Sequence, residues 1–554
     1  MPGAAAPYSS EAMAADPAAT AEPATTAAPP VPGRRARRLA RSTAFFSFAT
    51  GLSRVLGLVR EIVAASYFGV SGAMSAFTIA FQVPNLMRAL FADSALQGAF
   101  VPVFTELLER GERKEAFRVA SSLFLLIGMV LGAVTIVFIV AARPIMSVFA
   151  PGFDDNPHLA HLVVQLSRLM FPIVLFLALS GVVVGMLNSF EHFSVPAIAP
   201  VFWNLVIIGA LVGLTPVIHT DIYAYAYGVL AGTIVQFMLP LPWLRGRGGR
   251  FHFALEWRNE RVRRVLKLML PVTIALGLIN LSLLINSLFG TLVSDQVPAA
   301  IDKAFRIYQL PQGLFSISIA TILFPTLARL AARGATDDLR RTMANGLRQI
   351  CLLLIPSAIL MAVLAEPITR LVYQRGAFGT HATDLVSTAM VWWSISLPFQ
   401  GVSLLFSRTF FSLQKPWLTT WLSGANLLVN AAIAAALHGP LGLGGIVLGT
   451  VVGTIVMCVA QGAVLRQDLG GIEGRRTVAS VIRMLLAGAL LAGAAYGSWA
   501  LLRAGLGVAL PAQAIEVGGG IAVGMAVYAA AVWAMKIPEA RQIRALMPAR
   551  LGGG

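Results

Sequence analysis

The sequence predicts an all-α polytopic membrane protein with about 14 transmembrane helices. Hydrophobic residues make up 57% of the chain and charged residues only 12%, whereas a soluble domain carries about 25% charged residues. Apolar stretches of about 20 residues, the length that spans a bilayer as a helix, recur from the first span near residue 55 to the last near residue 524. Because these stretches are too long for buried strands, we expect helices throughout.

The basic residues are distributed as in a membrane protein. The formal net charge is +17. If the N-terminal tail lies in the cytoplasm, 32 of the 42 Lys and Arg residues fall in cytoplasmic segments, 4 fall outside and 6 fall within spans. This asymmetry follows the positive-inside rule and predicts that both termini are cytoplasmic. We therefore expect membrane lipids as partners and no nucleic acid.

Two pairs of prolines predict that the first twelve helices form two pseudo-symmetric six-helix lobes, followed by two C-terminal helices. The separation of Pro102 from Pro325 is nearly the same as that of Pro196 from Pro416. Chance is the alternative, because proline is common near helix ends. The predicted divisions are a disordered cytoplasmic tail (1–40), an N-lobe with spans one to six (41–250), a C-lobe with spans seven to twelve (251–470), spans thirteen and fourteen (471–537) and a cytoplasmic C-terminal tail (538–554).

The sequence does not carry the patterns of an enzyme or a metalloprotein. Cys351 and Cys458 lie in separate apolar stretches and form no CxxC motif. His158 and His161 have a spacing that suits a metal, but a solvated loop is the preferred interpretation. There is no Walker A motif, and no carboxylate pair or nucleophile–base set lies in the spans. We expect no catalysis, cofactor or metal.

Ionisable residues inside the apolar stretches are the candidates for a functional site. An arginine or lysine at bilayer depth costs about 2.5–3.5 kcal/mol on insertion scales, so such residues face water or bind an anion. Those that we single out are Arg54, Arg60, Glu61, Arg88, Lys303 and Arg306.

In the first span, helical geometry places Arg54, Gly57 and Glu61 on one face. Arg60 is turned by roughly 120° from Arg54 about the helix axis. A single narrow groove therefore does not hold both arginines unless water reaches a wide sector of that helix. Glu61 can pair with an arginine and so lower the free-energy cost of placing that arginine at bilayer depth. The alternative for Arg60 and Glu61 is a purely structural pair near the outer end of the span.

In the second span, Pro84 breaks the helical hydrogen bonding beside Asn85 and Arg88, which share a face at i, i+3. Asp93 follows and is a candidate partner for Arg88. A simple kink is the alternative to a moving hinge. In the eighth span, Lys303, Arg306 and Gln309 form a polar stripe.

Arginine offers a planar fork of donors that suits phosphate. Several arginines that converge from two lobes therefore favour a diphosphate over a carboxylate as the ligand.

Three stretches of the chain read SRVLGLVREIVAASYFG, AFQVPNLMRALFADSALQGAFVPVF and FRIYQLPQGLFSISIATILFP. They resemble the MurJ/MviN family of lipid II flippases, within the multidrug/oligosaccharidyl-lipid/polysaccharide exporter superfamily. The resemblance extends from about Ser42 to Asp468. It implies a multi-pass protein of the bacterial inner membrane that flips lipid II by alternating access. It also implies a groove for the lipid tail at spans thirteen and fourteen.

The resemblance also implies which residues handle the diphosphate-sugar head. The essential cavity arginines of the family fall on Arg54, Arg60, Arg88 and Arg306. From the helical spacing described above, we expect the supporting cavity residues to be Gly57, Glu61, Asn85, Asp93, Lys303 and Gln309. Lipid II or a related polyprenyl-diphosphate lipid is the expected partner, and cell-wall synthesis proteins stay open as further partners.

This chain departs from the family pattern at several positions. Ser75 stands where an acidic residue is common, and Phe305 stands where a polar residue is usual. Some members of the family bind sodium through an acidic residue in span seven, where this chain has Asn280 and Asn286 but no carboxylate. Asn426 and Asn430 share a face in span eleven, where helix–helix hydrogen bonds are the preferred interpretation. We claim no sodium site.

Three other functions stay open from the sequence. The chain could export another polyprenyl-linked glycan, or an amphipathic drug, although a drug site would be mostly apolar with a carboxylate. It could also be a non-transporting scaffold for cell-wall assembly. A scaffold would bind its partners through the basic loops Arg245–Arg264 and Arg329–Arg348.

Overall fold

A computed structural model describes residues 34–91, 94–218, 222–246, 255–256, 258–507, 509–537 and 539. All regular structure in these ranges is helical, with no strand, which confirms the all-α fold class. Residues 1–33 and 540–554, which hold most of both predicted tails, lie outside the described part of the chain. Helix α1 is described from Arg34, within the segment assigned to the N-terminal tail.

Among the described residues, nine α-helices precede residue 250. They are α1 Arg34–Phe68, α2 Gly72–Phe91, α3 Ser94–Glu109, α4 Arg113–Val140, α5 Ala142–Phe149, α6 Pro157–Met170, α7 Ile173–Ser189, α8 Ser194–Ile218 and α9 Tyr223–Met238. Short 3₁₀ turns at Pro151–Phe153 and Leu241–Leu244 complete this part of the chain. The side chain of Asn156 caps α6 by accepting a hydrogen bond from the Leu159 amide at 3.3 Å.

Ten α-helices follow residue 250 in the part of the chain that the structure describes. They are α10 Glu260–Val293, α11 Val297–Pro311, α12 Ile317–Ala332, α13 Thr336–Val363, α14 Ala365–Tyr373, α15 Thr380–Ser412, α16 Pro416–Leu441, α17 Leu443–Asp468, α18 Gly474–Leu506 and α19 Leu510–Ala534. A π-helical turn, Gln312–Ser316, joins α11 to α12. A π-turn inside a helix frequently marks a functional site.

Eleven helical stretches in the described ranges are long and apolar enough to cross a membrane. They cover α4, α6 with α7, α8, α9, α11 with α12, α13, and each helix from α15 to α19. The other three predicted spans fall on α1, on α2 with α3, and on α10. The protein is therefore a multi-pass membrane protein, and the count of about fourteen stays a prediction.

Helix boundaries recur at the spacing that the prolines indicated. Helix α4 begins at residue 113 and α13 at residue 336. This offset equals the separation of Pro102 from Pro325. Each of α4 and α13 is followed by a short helix, α5 and α14. This repetition supports two equivalent halves, and the lobe boundaries at residues 250 and 470 stay predictions.

The two halves of the sequence meet closely at one end of the bundle, where α1 ends, which we call the distal end. The Ala377 amide donates to the Ser66 carbonyl at 2.8 Å. The Gly152 amide donates to Thr291 Oγ1 at 3.2 Å. Ser75, the residue that departs from the family pattern, accepts a hydrogen bond from the Ala299 amide at 3.1 Å.

Glycine makes these distal approaches sterically possible. A Cβ atom on Gly152 would lie 2.0 Å from the Thr291 carbonyl oxygen, and one on Gly376 would lie 2.2 Å from the Ser66 carbonyl oxygen. Real Cβ atoms do not approach an oxygen so closely, so any larger residue would force the two backbones apart. Gly152 and Gly376 occupy equivalent turns, because each follows the short helix of its own half.

Candidate functional site

A group of five charged side chains joins α1 to α11 just inside the distal end. We call it the charged cluster, and it consists of Arg60, Glu61, Asp302, Lys303 and Arg306. Glu61 is at its centre. One carboxylate oxygen lies 2.6 Å from Arg60 Nη2 and 3.9 Å from Arg306 Nε, and the other lies 2.6 Å from Lys303 Nζ. A single glutamate thus ties the first half of the chain to the second.

The members of the charged cluster differ in their access to solvent. Lys303 is fully buried, and Arg60 is only 7% exposed. The side chain of Arg306 is 34% exposed, although Asp302 holds its Nη2 at 3.3 Å. Three cationic groups face two carboxylates, so the cluster as a whole carries one uncompensated positive charge. Arg306 is therefore the member best placed to meet an anionic ligand.

Helix α8 also contacts Arg60. Asn204 Oδ1 accepts a hydrogen bond from Arg60 Nη1 at 3.2 Å, and the Trp203 ring centroid lies 4.7 Å from the guanidinium carbon. Asn204 in turn donates to the carbonyl oxygens of Ser53 at 3.3 Å and Pro200 at 3.0 Å. The Arg60–Glu61 pair that the sequence left as an alternative is present, and it extends through Glu61 to Lys303.

Aromatic side chains of the second half surround the Lys303 end of the cluster. The Tyr373 hydroxyl donates to the Lys303 carbonyl at 3.4 Å, and its ring centroid is 5.9 Å from Lys303 Nζ. Phe305, the second departure from the family pattern, packs against Trp393 with ring centroids 5.1 Å apart. Phe305 therefore contributes apolar packing beside the charged cluster.

Three further predicted site residues are described on α1 and α11 and are not members of the charged cluster. Arg54 is exposed, and its Nη1 lies 3.5 Å from where a Cβ on Gly313 of the π-turn would be. Gln309 is also exposed. Gly57 faces Asn204, whose Oδ1 would be 3.9 Å from an added Cβ.

Span two supplied three further predicted site residues, Asn85, Arg88 and Asp93. Asn85 is half-buried on α2. The Arg88 side chain and the whole of Asp93 lie outside the described part of the structure, so their predicted roles stay predictions.

Sequence reasoning missed three members of this site. Asp302 directly precedes Lys303 and lies one helical turn before Arg306, so local spacing could have found it. Trp203 and Asn204 form a polar pair inside an apolar stretch of span five, which was a usable but weak signal.

A second polar cluster lies within the second half of the chain and is uncharged. We call it the amide cluster, and it consists of Ser282, Asn286, Asn430 and Thr450, on α10, α16 and α17. Asn430 Nδ2 donates to Ser282 Oγ at 2.9 Å and to Asn286 Oδ1 at 3.2 Å, and Asn286 Nδ2 donates to Thr450 Oγ1 at 2.8 Å. For Asn430, the interpretation as a helix–helix hydrogen bond is confirmed. Among the described residues, no group of three or more His, Cys, Asp or Glu could hold a metal ion.

Comparison with known proteins identifies relatives of this chain. The family model described as "Lipid II flippase MurJ" matches residues 64–511. A protein named "Probable lipid II flippase MurJ" from Rhizobium meliloti is 31% identical over 499 residues, covering 88% of this chain and 92% of the relative. "Lipid II flippase MurJ" from Burkholderia cenocepacia is 31% identical over 363 residues, covering 65% of this chain and 70% of the relative.

Solved structures share the fold. One titled "Lipid II flippase MurJ, inward closed conformation" has a TM-score of 0.74 at 22% identity, covering 88% of this chain and 99% of that one. An inward-facing multidrug resistance transporter of the MATE family has a TM-score of 0.64 at 13% identity, covering 76% of this chain and 96% of that one.

Proposed function

Because the chain belongs to the lipid II flippase MurJ family, we propose that it moves lipid II from the cytoplasmic to the outer leaflet of the bacterial inner membrane. The observation that carries this proposal is the charged cluster. It spans the two halves of a helical membrane protein and holds one positive charge more than its carboxylates neutralise. A diphosphate is the part of lipid II that such a cluster would recognise.

The cargo would meet the exposed arginines first. Arg54 and Arg306 are accessible, whereas Arg60 is buried behind Glu61 and Asn204. The diphosphate would compete with Asp302 and Glu61 for the guanidinium groups, because charge-assisted bidentate contacts to phosphate are strong. Arg88 would complete the set from span two.

Displacement of Glu61 would link cargo binding to movement of the lobes. The Lys303–Glu61 contact joins α1 to α11, so a ligand that weakens it loosens one of the ties between the halves. The positive-inside asymmetry orients the distal end to the outside, so the distal contacts of Gly152 and Gly376 would open for release. The lobes would be residues 41–250 and 251–470, both termini would be cytoplasmic, and the lipid tail would lie along α18 and α19.

The membrane potential would help to return the emptied protein. A net charge that crosses the membrane is worth about 2.3 kcal/mol per 100 mV. The uncompensated charge of the cluster would respond to this field once the anionic cargo has left.

The chemistry of the cluster disfavours the alternative functions. A site for cationic drugs would present a free carboxylate, but both carboxylates of the charged cluster contact arginine or lysine. A scaffold would not need a buried lysine and arginine between its halves. The same geometry would serve another polyprenyl-diphosphate glycan, so the cargo is tested directly.

The test is complementation of a strain depleted of its own lipid II flippase. Wild type and Arg306→Ala are compared at matched membrane levels, with Arg329→Ala as the control, since Arg329 is exposed on α12 and bonds to Thr326 on its own helix. We expect rescue by wild type and Arg329→Ala and no rescue by Arg306→Ala. Full rescue by Arg306→Ala would contradict the proposed site.

A further inference from the structure

We propose that Trp203 is a positioning residue that fixes the guanidinium of Arg60 for the cargo diphosphate. The inference rests on the function proposed above and adds a residue that the charged cluster itself does not contain. The Trp203 ring centroid is 4.7 Å from the guanidinium carbon. Cation–π attraction operates within about 6 Å of the ring centroid, and tryptophan is the strongest aromatic partner.

Trp203 is itself anchored by the neighbouring helix α9. Its indole Nε1 donates to Thr233 Oγ1 at 3.1 Å, and that hydroxyl donates to the Val229 carbonyl at 2.8 Å. Gly232 leaves the space that the indole needs, because a Cβ there would lie 3.1 Å from Trp203 Cδ1. The ring is therefore held in place by α9 and does not depend on Arg60 for its position.

The guanidinium of Arg60 has three partners, but one of its donors makes no hydrogen bond to any described residue. Glu61 accepts a hydrogen bond from Nη2, Asn204 accepts one from Nη1, and the Trp203 ring contacts the guanidinium group. The buried Nε atom has no hydrogen-bond partner among the described residues. A buried donor without a partner is uncommon and calls for a ligand or a water molecule. An anionic oxygen of the cargo would meet this need.

The contact with the indole also explains why an arginine is suited to this position. Stacking against a ring leaves the N–H donors at the edge of the guanidinium plane free for phosphate oxygens. A lysine at residue 60 would keep the charge but lose both the plane and the fork of donors. Arg60→Lys is therefore expected to behave as a loss of function even though the charge is retained.

The experiment uses the full-length protein in lipid nanodiscs with 5-fluorotryptophan at its nine tryptophans. The ¹⁹F resonance that is absent from Trp203→Phe identifies Trp203. We expect this resonance to shift when inorganic diphosphate or lipid II is added, and to shift much less with the same concentration of sulfate. The shift should disappear in Arg60→Lys, which leaves the ring in place.

Binding affinity for lipid II is measured on the same samples. Loss of the cation–π contact in Trp203→Leu should weaken binding by about 2- to 30-fold. Thr233→Val, which removes only the anchor of the indole, should change affinity in the same direction and by less. Trp421→Phe is the control, because Trp421 is 76% exposed on α16. Unchanged positions of the other ¹⁹F resonances show that each variant is folded.

The outcomes separate this inference from the proposed function. Loss of lipid II binding in Arg306→Ala together with wild-type binding in both Trp203→Leu and Thr233→Val would overturn the role of Trp203 and leave the function intact. Wild-type binding in Arg306→Ala would instead overturn the proposed site. A Trp203 resonance that does not respond to diphosphate would also count against the positioning role.

Discussion

The charged cluster and the amide cluster are both polar groups buried among apolar helices, but they are built differently. The charged cluster joins α1 of the first half to α11 of the second, and its charges do not balance. The amide cluster lies on three helices of the second half, and its donors and acceptors satisfy one another. Interhelical hydrogen bonds between neutral groups contribute to helix association, whereas charges inside a membrane are costly and mark function. This difference favours the proposed binding role for the charged cluster and a packing role for the amide cluster.

Removal of the central carboxylate should have the largest effect. Glu61→Gln leaves Arg60 and Lys303 buried without their counter-ion, and breaking a buried ion pair costs about 3–5 kcal/mol. We expect a large drop in thermal stability in detergent, together with loss of transport. Glu366→Gln is the matched control, because Glu366 pairs with Arg370 on the exposed surface of α14. That variant should change stability by about 0–1 kcal/mol, and an equal loss in both would contradict the special role of Glu61.

The second prediction tests whether the glycine contacts at the distal end hold the two halves of the chain together. In Gly152→Ala, the new methyl group would lie 2.0 Å from the Thr291 carbonyl oxygen. Overpacking of this kind costs about 1–3 kcal/mol, so we expect the closed state to be disfavoured and transport to slow. The measurement is the reactivity of a cysteine placed at Ser66 toward an impermeant thiol reagent, which should rise in Gly152→Ala.

The control for this distal variant is Gly379→Ala, where an added Cβ meets no described atom within 4 Å. Its cysteine reactivity and transport should match those of the parent protein. Equal reactivity in Gly152→Ala and Gly379→Ala would show that the glycine contact does not hold the distal end closed.

The amide cluster should give the smallest effect, and one on stability alone. Thr450→Val removes the hydroxyl that accepts from Asn286, and such interhelical hydrogen bonds are worth about 0.6 kcal/mol on average and up to about 1.7 kcal/mol. We expect a small fall in melting temperature with transport per folded molecule unchanged. Loss of transport without loss of stability would move the amide cluster into the functional site.

Local pattern predicted much of the fold and part of the site. Long apolar stretches predicted the positions of the helices, and Pro102 and Pro325 marked a spacing that the starts of α4 and α13 repeat. Because burying a charge in a membrane is costly, the sequence alone indicated Arg60, Glu61, Lys303 and Arg306 as candidate site residues. The helical wheel grouped Glu61 with Arg54, but Glu61 contacts its neighbour Arg60 and also Lys303, which is far away in sequence on another helix. Contacts between distant helices, including that of Trp203 with Arg60, depend on tertiary packing and are not encoded in local spacing.

The most direct measurement is the fraction of lipid II that an impermeant lipid II-cleaving enzyme reaches from outside spheroplasts of the depleted strain. Wild type and Arg306→Ala are compared at equal membrane levels, with Arg329→Ala alongside. We predict that the accessible fraction rises with wild type and Arg329→Ala and stays at the depleted level with Arg306→Ala. A wild-type fraction in Arg306→Ala would contradict the claim that the charged cluster carries the diphosphate.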